Sequence, residues 1–145
     1  MKAGIVKRFA IQKELSSENE QKSIALAIFL DVSLKFENLQ QNCFFYHVTN
    51  SGYSAEDLVS NLISFYRAVC PQVDYIRICK PVSKEVALAI WDKCGAVGDT
   101  KNTKPEPILY PNPLIECGVS RRGRLPWQLN TIKPAPIGNK FWEIK

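Results

Sequence analysis

From Ser23 to Phe36 the chain reads SIALAIFLDVSLKF, with Ile24, Leu26, Ile28, Leu30, Val32, Leu34 and Phe36 at every second position. The other row starts apolar (Ala25, Ala27, Phe29) and turns polar (Asp31, Ser33, Lys35). An apolar row of period two is the pattern of a half-buried strand, so this segment predicts a long β-strand whose greasy face needs a cover. Ala3 to Lys13 alternates less regularly and predicts a preceding strand, separated from the long one by the polar stretch ELSSENEQK. After ENLQQN, the segment CFFYHV (43–48) is apolar on both rows, as in a strand layered on both sides. VDYIRICK (73–80) is rich in β-formers and predicts a fourth strand, ended by Pro81.

Two stretches carry helical spacing instead. Ser54-Ala-Glu-Asp57 reads as a capping-box variant, and Leu58, Leu62, Phe65 and Val69 then fall on one face until Pro71 closes the helix. Ser83 caps a second helix in which Val86, Ile90 and Cys94 line up before Gly95. The expected class is α+β or α/β. A mixed sheet would start with an antiparallel three-strand meander and continue as β-α-β-α, with helices packed on the sheet and strands three and four parallel through a right-handed crossover. That element order is similar to ribonuclease H-like nucleases and integrases over residues 3 to 95. The resemblance is one of topology and rests on no motif. Two-metal chemistry in such folds needs carboxylates gathered at strand ends. The first strand here offers Lys7, Arg8 and Phe9, so the resemblance implies a fold without that activity.

Composition changes the picture after Asp99. Seven of the nine prolines lie there (Pro105, Pro107, Pro111, Pro113, Pro126, Pro134, Pro136), limiting regular structure to short extended pieces at Leu114 to Val119, Trp127 to Ile132 and Phe141 to Ile144. With 145 residues the chain is expected to form one domain, a sheet-helix core over 1–98 and a Pro-rich, basic wrapping segment over 99–145. Charge follows the same division: residues 1–98 hold 11 Lys/Arg against 10 Asp/Glu, and residues 99–145 hold 8 against 4. No apolar run approaches the roughly 20 residues of a membrane span, which predicts a soluble, cytoplasmic protein with no membrane partner. Five cysteines (Cys43, Cys70, Cys79, Cys94, Cys117) at irregular spacing, with a single histidine, make neither a disulfide framework nor a zinc set. Neither metal nor cofactor is expected.

Candidate chemistry concentrates in three places. If strands three and four are parallel, their junctions with the following helices share one sheet edge, where Lys80, Ser83 and Lys84 surround a helix N-terminus that suits an anion. SRRGRLPWQLN gathers Arg121, Arg122 and Arg124 around Gly123 with Trp127 behind, guanidinium groups and a ring that suit single-stranded nucleic acid. The bland alternative is a basic turn with Trp127 in the core. His47 stands beside Thr49, Asn50 and Ser51 at a strand end, the one candidate general base. Nucleophile-elbow and phosphate-loop motifs are absent from the sequence, which points away from catalysis. The leading expectation is a small non-enzymatic binding or regulatory module whose basic surface engages nucleic acid or another anionic partner. The alternatives are an interaction or inhibitor module pairing through a sheet edge, as a homodimer or with a partner protein, and an enzyme centred on His47.

Overall fold

Residues 5–14, 17–41, 57–94, 101–109 and 121–145 are described in the computed structural model of the chain. The first surprise is the segment from Ser23 to Phe36. It is helical, the middle of α1 (Glu18–Gln41), which at 24 residues is about 36 Å long. The helix starts at Ser17, whose hydroxyl accepts a hydrogen bond from the Glu20 N–H at 3.2 Å, with Glu18 and Glu20 in the first turn. Those are the capping and charge preferences of a helix N-terminus.

The expected long strand is thus corrected, and the cause lies in packing. α1 is buried on two sides. Leu26 joins a core with Phe29 and Leu30 packed beside it, whereas Ile24 and Ala27, with Ile28, enter a second core. A helix lined on two faces leaves few polar positions in its middle, and any dense apolar run contains a row of period two by arithmetic alone.

Helix α2 (Asp57–Val69) matches the helical spacing read from the sequence and buries Leu58, Leu62, Phe65 and Tyr66. Its expected cap, Ser54, lies outside the described residues. Phe65 meets Phe29 of α1 with ring centroids 5.5 Å apart, the aromatic centre of the first core. The predicted fourth strand is also a helix, α3 (Tyr75–Cys79). Asp74 caps it by accepting from the Arg77 N–H at 3.0 Å, and Tyr75, Ile78 and Cys79 turn onto the first core at one-turn spacing. With that strand gone there is no βαβ crossover and no shared strand-end cleft; the resemblance to ribonuclease H-like topology lapses with it. α4 (Lys84–Cys94) follows, started by Ser83 as expected, whose hydroxyl accepts from the Val86 N–H at 3.3 Å.

The sheet content is small. β1 (Arg8–Ile11) pairs antiparallel with a strand at Phe141–Ile144, and Ile108–Leu109 (β2) pairs antiparallel with Arg121–Arg122 (β3). Of the expected three-strand meander, the first strand is present as β1, the second is helical, and the third, residues 43–48, lies outside the described residues; the class is a mixture of helices and small antiparallel sheets. Trp127–Asn130, expected extended, is a 3₁₀ turn that anchors Leu129 in the first core. The last strand, β4 (Phe141–Ile144), forms where the sequence placed an extended piece.

The segment between that turn and β4 joins the two cores. Tyr66, fully buried, accepts from the Ile132 N–H at 2.9 Å and donates to the Ile132 carbonyl at 3.3 Å. Farther along, Ala135 donates its N–H to the Ser23 carbonyl at 3.0 Å, and the Ser23 hydroxyl donates to the Lys133 carbonyl. Phe141, fully buried, then packs with Ile24 and Ala27 of α1 and with Phe9 of β1.

An ion network fastens the β1–β4 ribbon to α1. Lys7, with only 7% of its side chain exposed, places its ammonium 2.6 Å from Asp31 and 2.7 Å from Glu143, and Lys35 flanks the same two carboxylates at 3.7 and 3.5 Å. Burial works against the Lys7 ammonium. The hydrogen bonds to Asp31 and Glu143 outweigh it and hold the lysine above its ordinary pKa range. In turn, the hydrogen bond from Lys7 holds the Glu143 carboxyl below the usual carboxylate range.

Candidate nucleic-acid interface

The β2–β3 ribbon puts Ile108 opposite Arg122 and Leu109 opposite Arg121. Gly123 continues it by donating its N–H to the Pro107 carbonyl at 2.8 Å. A side chain there would crowd the neighbouring strand, because an added Cβ would stand 3.0 Å from Cγ of Leu109. The glycine between the arginines therefore leaves room for the Leu109 side chain.

A buried asparagine organises the loop beneath Arg122. Asn102 donates from Nδ2 to the Glu106 carbonyl at 2.7 Å, while its Oδ1 accepts from the Lys104 N–H at 3.2 Å and from Nη1 of Arg122 at 3.2 Å. The Glu106 carboxylate stands 3.6 Å from that same Nη1, with both side chains about half exposed. Arg122 is thus held from one side by an amide oxygen and a carboxylate. Arg124, exposed, has no ion pair among the described residues. The Arg121 side chain lies outside the described set.

Past Leu125 and Pro126 the chain enters the 3₁₀ turn, and with three residues per turn Leu129 cannot share a side with Trp127. Leu129 takes the core position at 2% exposure. Trp127 is left 73% exposed. The core placement considered from sequence is therefore corrected, the shorter side chain two residues later filling that role. An indole so open beside Arg124 and Arg122 is the arrangement in which a ring can stack on a base while guanidinium groups meet phosphates.

The other expected cluster has a different surface. Lys80 is the left-handed residue that closes α3 (φ 49°), its N–H donating to the Arg77 carbonyl at 3.1 Å, and its side chain is exposed, as is that of Lys84. Ser83 is committed to α4 as its cap. At that helix start the anion is internal, since hydrogen bonds from the Ser83 hydroxyl and from its own backbone N–H hold the Glu85 carboxyl below the usual range. α3 and the 3₁₀ turn both pack on α2 in the first core, through Tyr75 and Leu129. The structure thus brings Lys80 and Trp127 onto elements that share α2 as a support.

His47 and its polar neighbours lie outside the described residues. Among the described residues no group of three or more His, Cys, Asp or Glu side chains could hold a metal ion, and no helix is long and apolar enough to cross a membrane. For edge pairing, β1 and β4 are only four residues long and are followed by the exposed Lys13 and Lys145, features that blunt an edge against further strands.

The sequence reading missed Asn102 and Glu106, which set the posture of Arg122; NTKPEP carries the turn-forming residues of such a loop but nothing that names its partner. It also passed over Arg8 and Trp142, whose direction follows once Phe141 is known to face inward. No protein-family model, curated protein or solved structure matches the chain.

Proposed function

We propose that this protein binds single-stranded nucleic acid through the β2–β3 ribbon and the turn that follows it, as a non-catalytic module in the cytoplasm. Arg124 and Arg122 pair with phosphates, and Trp127 stacks on a base. The observation that carries the reading is the exposure of Trp127, held out of the core by the anchoring of Leu129. A large ring presented to solvent beside arginines costs hydrophobic burial, and base stacking recovers it. Lys80, at the end of an element that packs on α2 as the 3₁₀ turn does, adds to the positive charge.

The test is a titration of a labelled single-stranded oligonucleotide at two salt concentrations. Affinity should fall steeply with salt, by about 0.7 in log K per log salt for each phosphate neutralised. Trp127→Ala should weaken binding by about 1–3 kcal/mol, and Arg124→Gln should flatten the salt slope by about 0.7. Binding that is absent at low salt, or equal in wild type and Trp127→Ala, refutes the reading.

A further inference from the structure

The β1–β4 ribbon has an inner and an outer face, and register assigns each residue to one of them. Phe9 stands opposite Glu143 and Ile11 opposite Phe141; Arg8 stands opposite Ile144 and Ala10 opposite Trp142. Directly opposed residues share a face. The first set faces α1, where Phe141 is fully buried and Glu143 is bound by Lys7 and Lys35. The second set, Arg8, Ala10, Trp142 and Ile144, is exposed, with Trp142 at 47% and Ile144 at 51%.

That outer face combines an indole with a guanidinium at the diagonal cross-strand position, about 7–8 Å away by backbone spacing. Its charge is of one sign. The ribbon's only acidic residue, Glu143, is on the other side, and Arg8 has no ion pair among the described residues. An exposed ring with an arginine diagonal to it complements a base and its phosphate, as in sheets that bind unpaired bases on exposed aromatic residues. The ion network behind it and the buried Phe141 keep the platform from moving when it is loaded.

We propose that the outer face of the β1–β4 ribbon is a second nucleic-acid contact, in which Trp142 stacks on a base and Arg8 pairs with a phosphate of a single strand. The inference rests on the reading that this protein binds single-stranded nucleic acid, and it is carried by residues that take no part in the β2–β3 site.

The chain has three tryptophans, so Trp91→Phe with Trp127→Phe leaves Trp142 as the reporting indole. Titration of this full-length double variant with an unlabelled single-stranded oligonucleotide should quench its emission, and Arg8→Gln in that background should weaken the quenching and flatten its salt slope by about 0.7. In an otherwise wild-type chain, Trp142→Ala should lower affinity about fivefold or more, the lower bound for loss of one stacked base. Because Trp142 is half-buried, Arg8→Gln serves as the variant that leaves the ribbon's packing intact. If Trp127→Ala weakens binding while Trp142 stays unquenched and Arg8→Gln matches wild type, the second contact is overturned and the first site stands. Quenching of Trp142 with Trp127→Ala unchanged supports this face and removes the β2–β3 site. Absence of any binding at low salt overturns both. Blue-shifted Trp142 emission with anionic phospholipid vesicles, and no response to oligonucleotide, assigns the face to lipid and overturns the proposal.

Discussion

If Arg122 pairs with a phosphate as proposed, Glu106 competes for it, and its removal should tighten nucleic-acid binding. Its carboxylate lies 3.6 Å from Nη1 of Arg122 in a pair whose side chains are 52% and 46% exposed. At that distance two unit charges in bulk water attract by about 1 kcal/mol, and measured exposed pairs give about 0.2–1 kcal/mol. Glu106→Gln abolishes that attraction but keeps the backbone carbonyl to which Asn102 donates, so the loop retains its main internal bond. Released from its carboxylate, Arg122 should bind oligonucleotide about 1.4- to 5-fold more tightly, with the salt slope unchanged because the same phosphates are neutralised. Fluorescence anisotropy at about 50 mM and about 200 mM salt resolves both quantities. Glu18→Gln is the matched control, because it removes the same charge and frees Lys22 from an ion pair on α1, away from the ribbon. Equal tightening by the two variants would reduce the effect to net charge and refute the competition. Weaker binding by Glu106→Gln would show instead that the carboxylate orders Arg122 for its ligand.

Other expectations concern the framework. Asn102→Ala removes three hydrogen bonds around a fully buried side chain, and should lower stability by about 1–3 kcal/mol in urea unfolding while weakening oligonucleotide binding through Arg122. Phe141→Ala should cost about 3–5 kcal/mol by the same assay, since Phe141 is fully enclosed between α1 and β1. Ser83→Ala should destabilise α4 by about 1 kcal/mol, seen as faster amide exchange in its first turn with exchange in α2 unchanged. The pH dependence follows from Lys7, Glu143 and Cys79. A carboxyl held below 4.5 contributes stability above that pH and loses it as pH falls through the folded value; an ammonium held above 10.5 contributes below that pH and loses it as pH rises through the folded value. The urea midpoint should therefore be flat from about pH 5 to about pH 9, fall on the alkaline side as the Cys79 thiol, pushed up by burial, ionises first in the unfolded chain, and fall on the acid side, where Glu143→Gln should make the limb shallower.

Where one face of an element meets the core, the sequence was readable. Leu58, Leu62 and Phe65 of α2 stand as their spacing implies; in α4 the local Ser83 cap does too, but the expected packing of its apolar row is corrected, with Val86 40% and Trp91 54% exposed. α1 was misread because burial on two faces removes the polar stripe that reveals a helix. Length was the better guide, since a run of 14 residues exceeds the usual strand, and Ser17-Glu18-Asn19-Glu20 carried a capping signature ahead of it. In α3 a single turn of β-forming residues was decided by the Asp74 cap and by contact with the first core, both stronger than propensity. At the candidate site, the arginines and the ring were visible as letters. The outward turn of Trp127 was not, because it depends on Leu129 claiming a pocket formed by α2 and α3, which no local pattern specifies.

The pairing of Arg8 with Ile144 joins positions at opposite ends of this sequence. Closing so long a loop carries a large entropic penalty that local contacts do not share, which orders the events of folding. The α2–α3 corner, made of near neighbours, can assemble early; the β1–β4 ribbon has to wait until α1 offers its second side as a template. Kinetically the proposed Trp142 platform would then be the last part of the molecule to acquire its shape and the first to lose it.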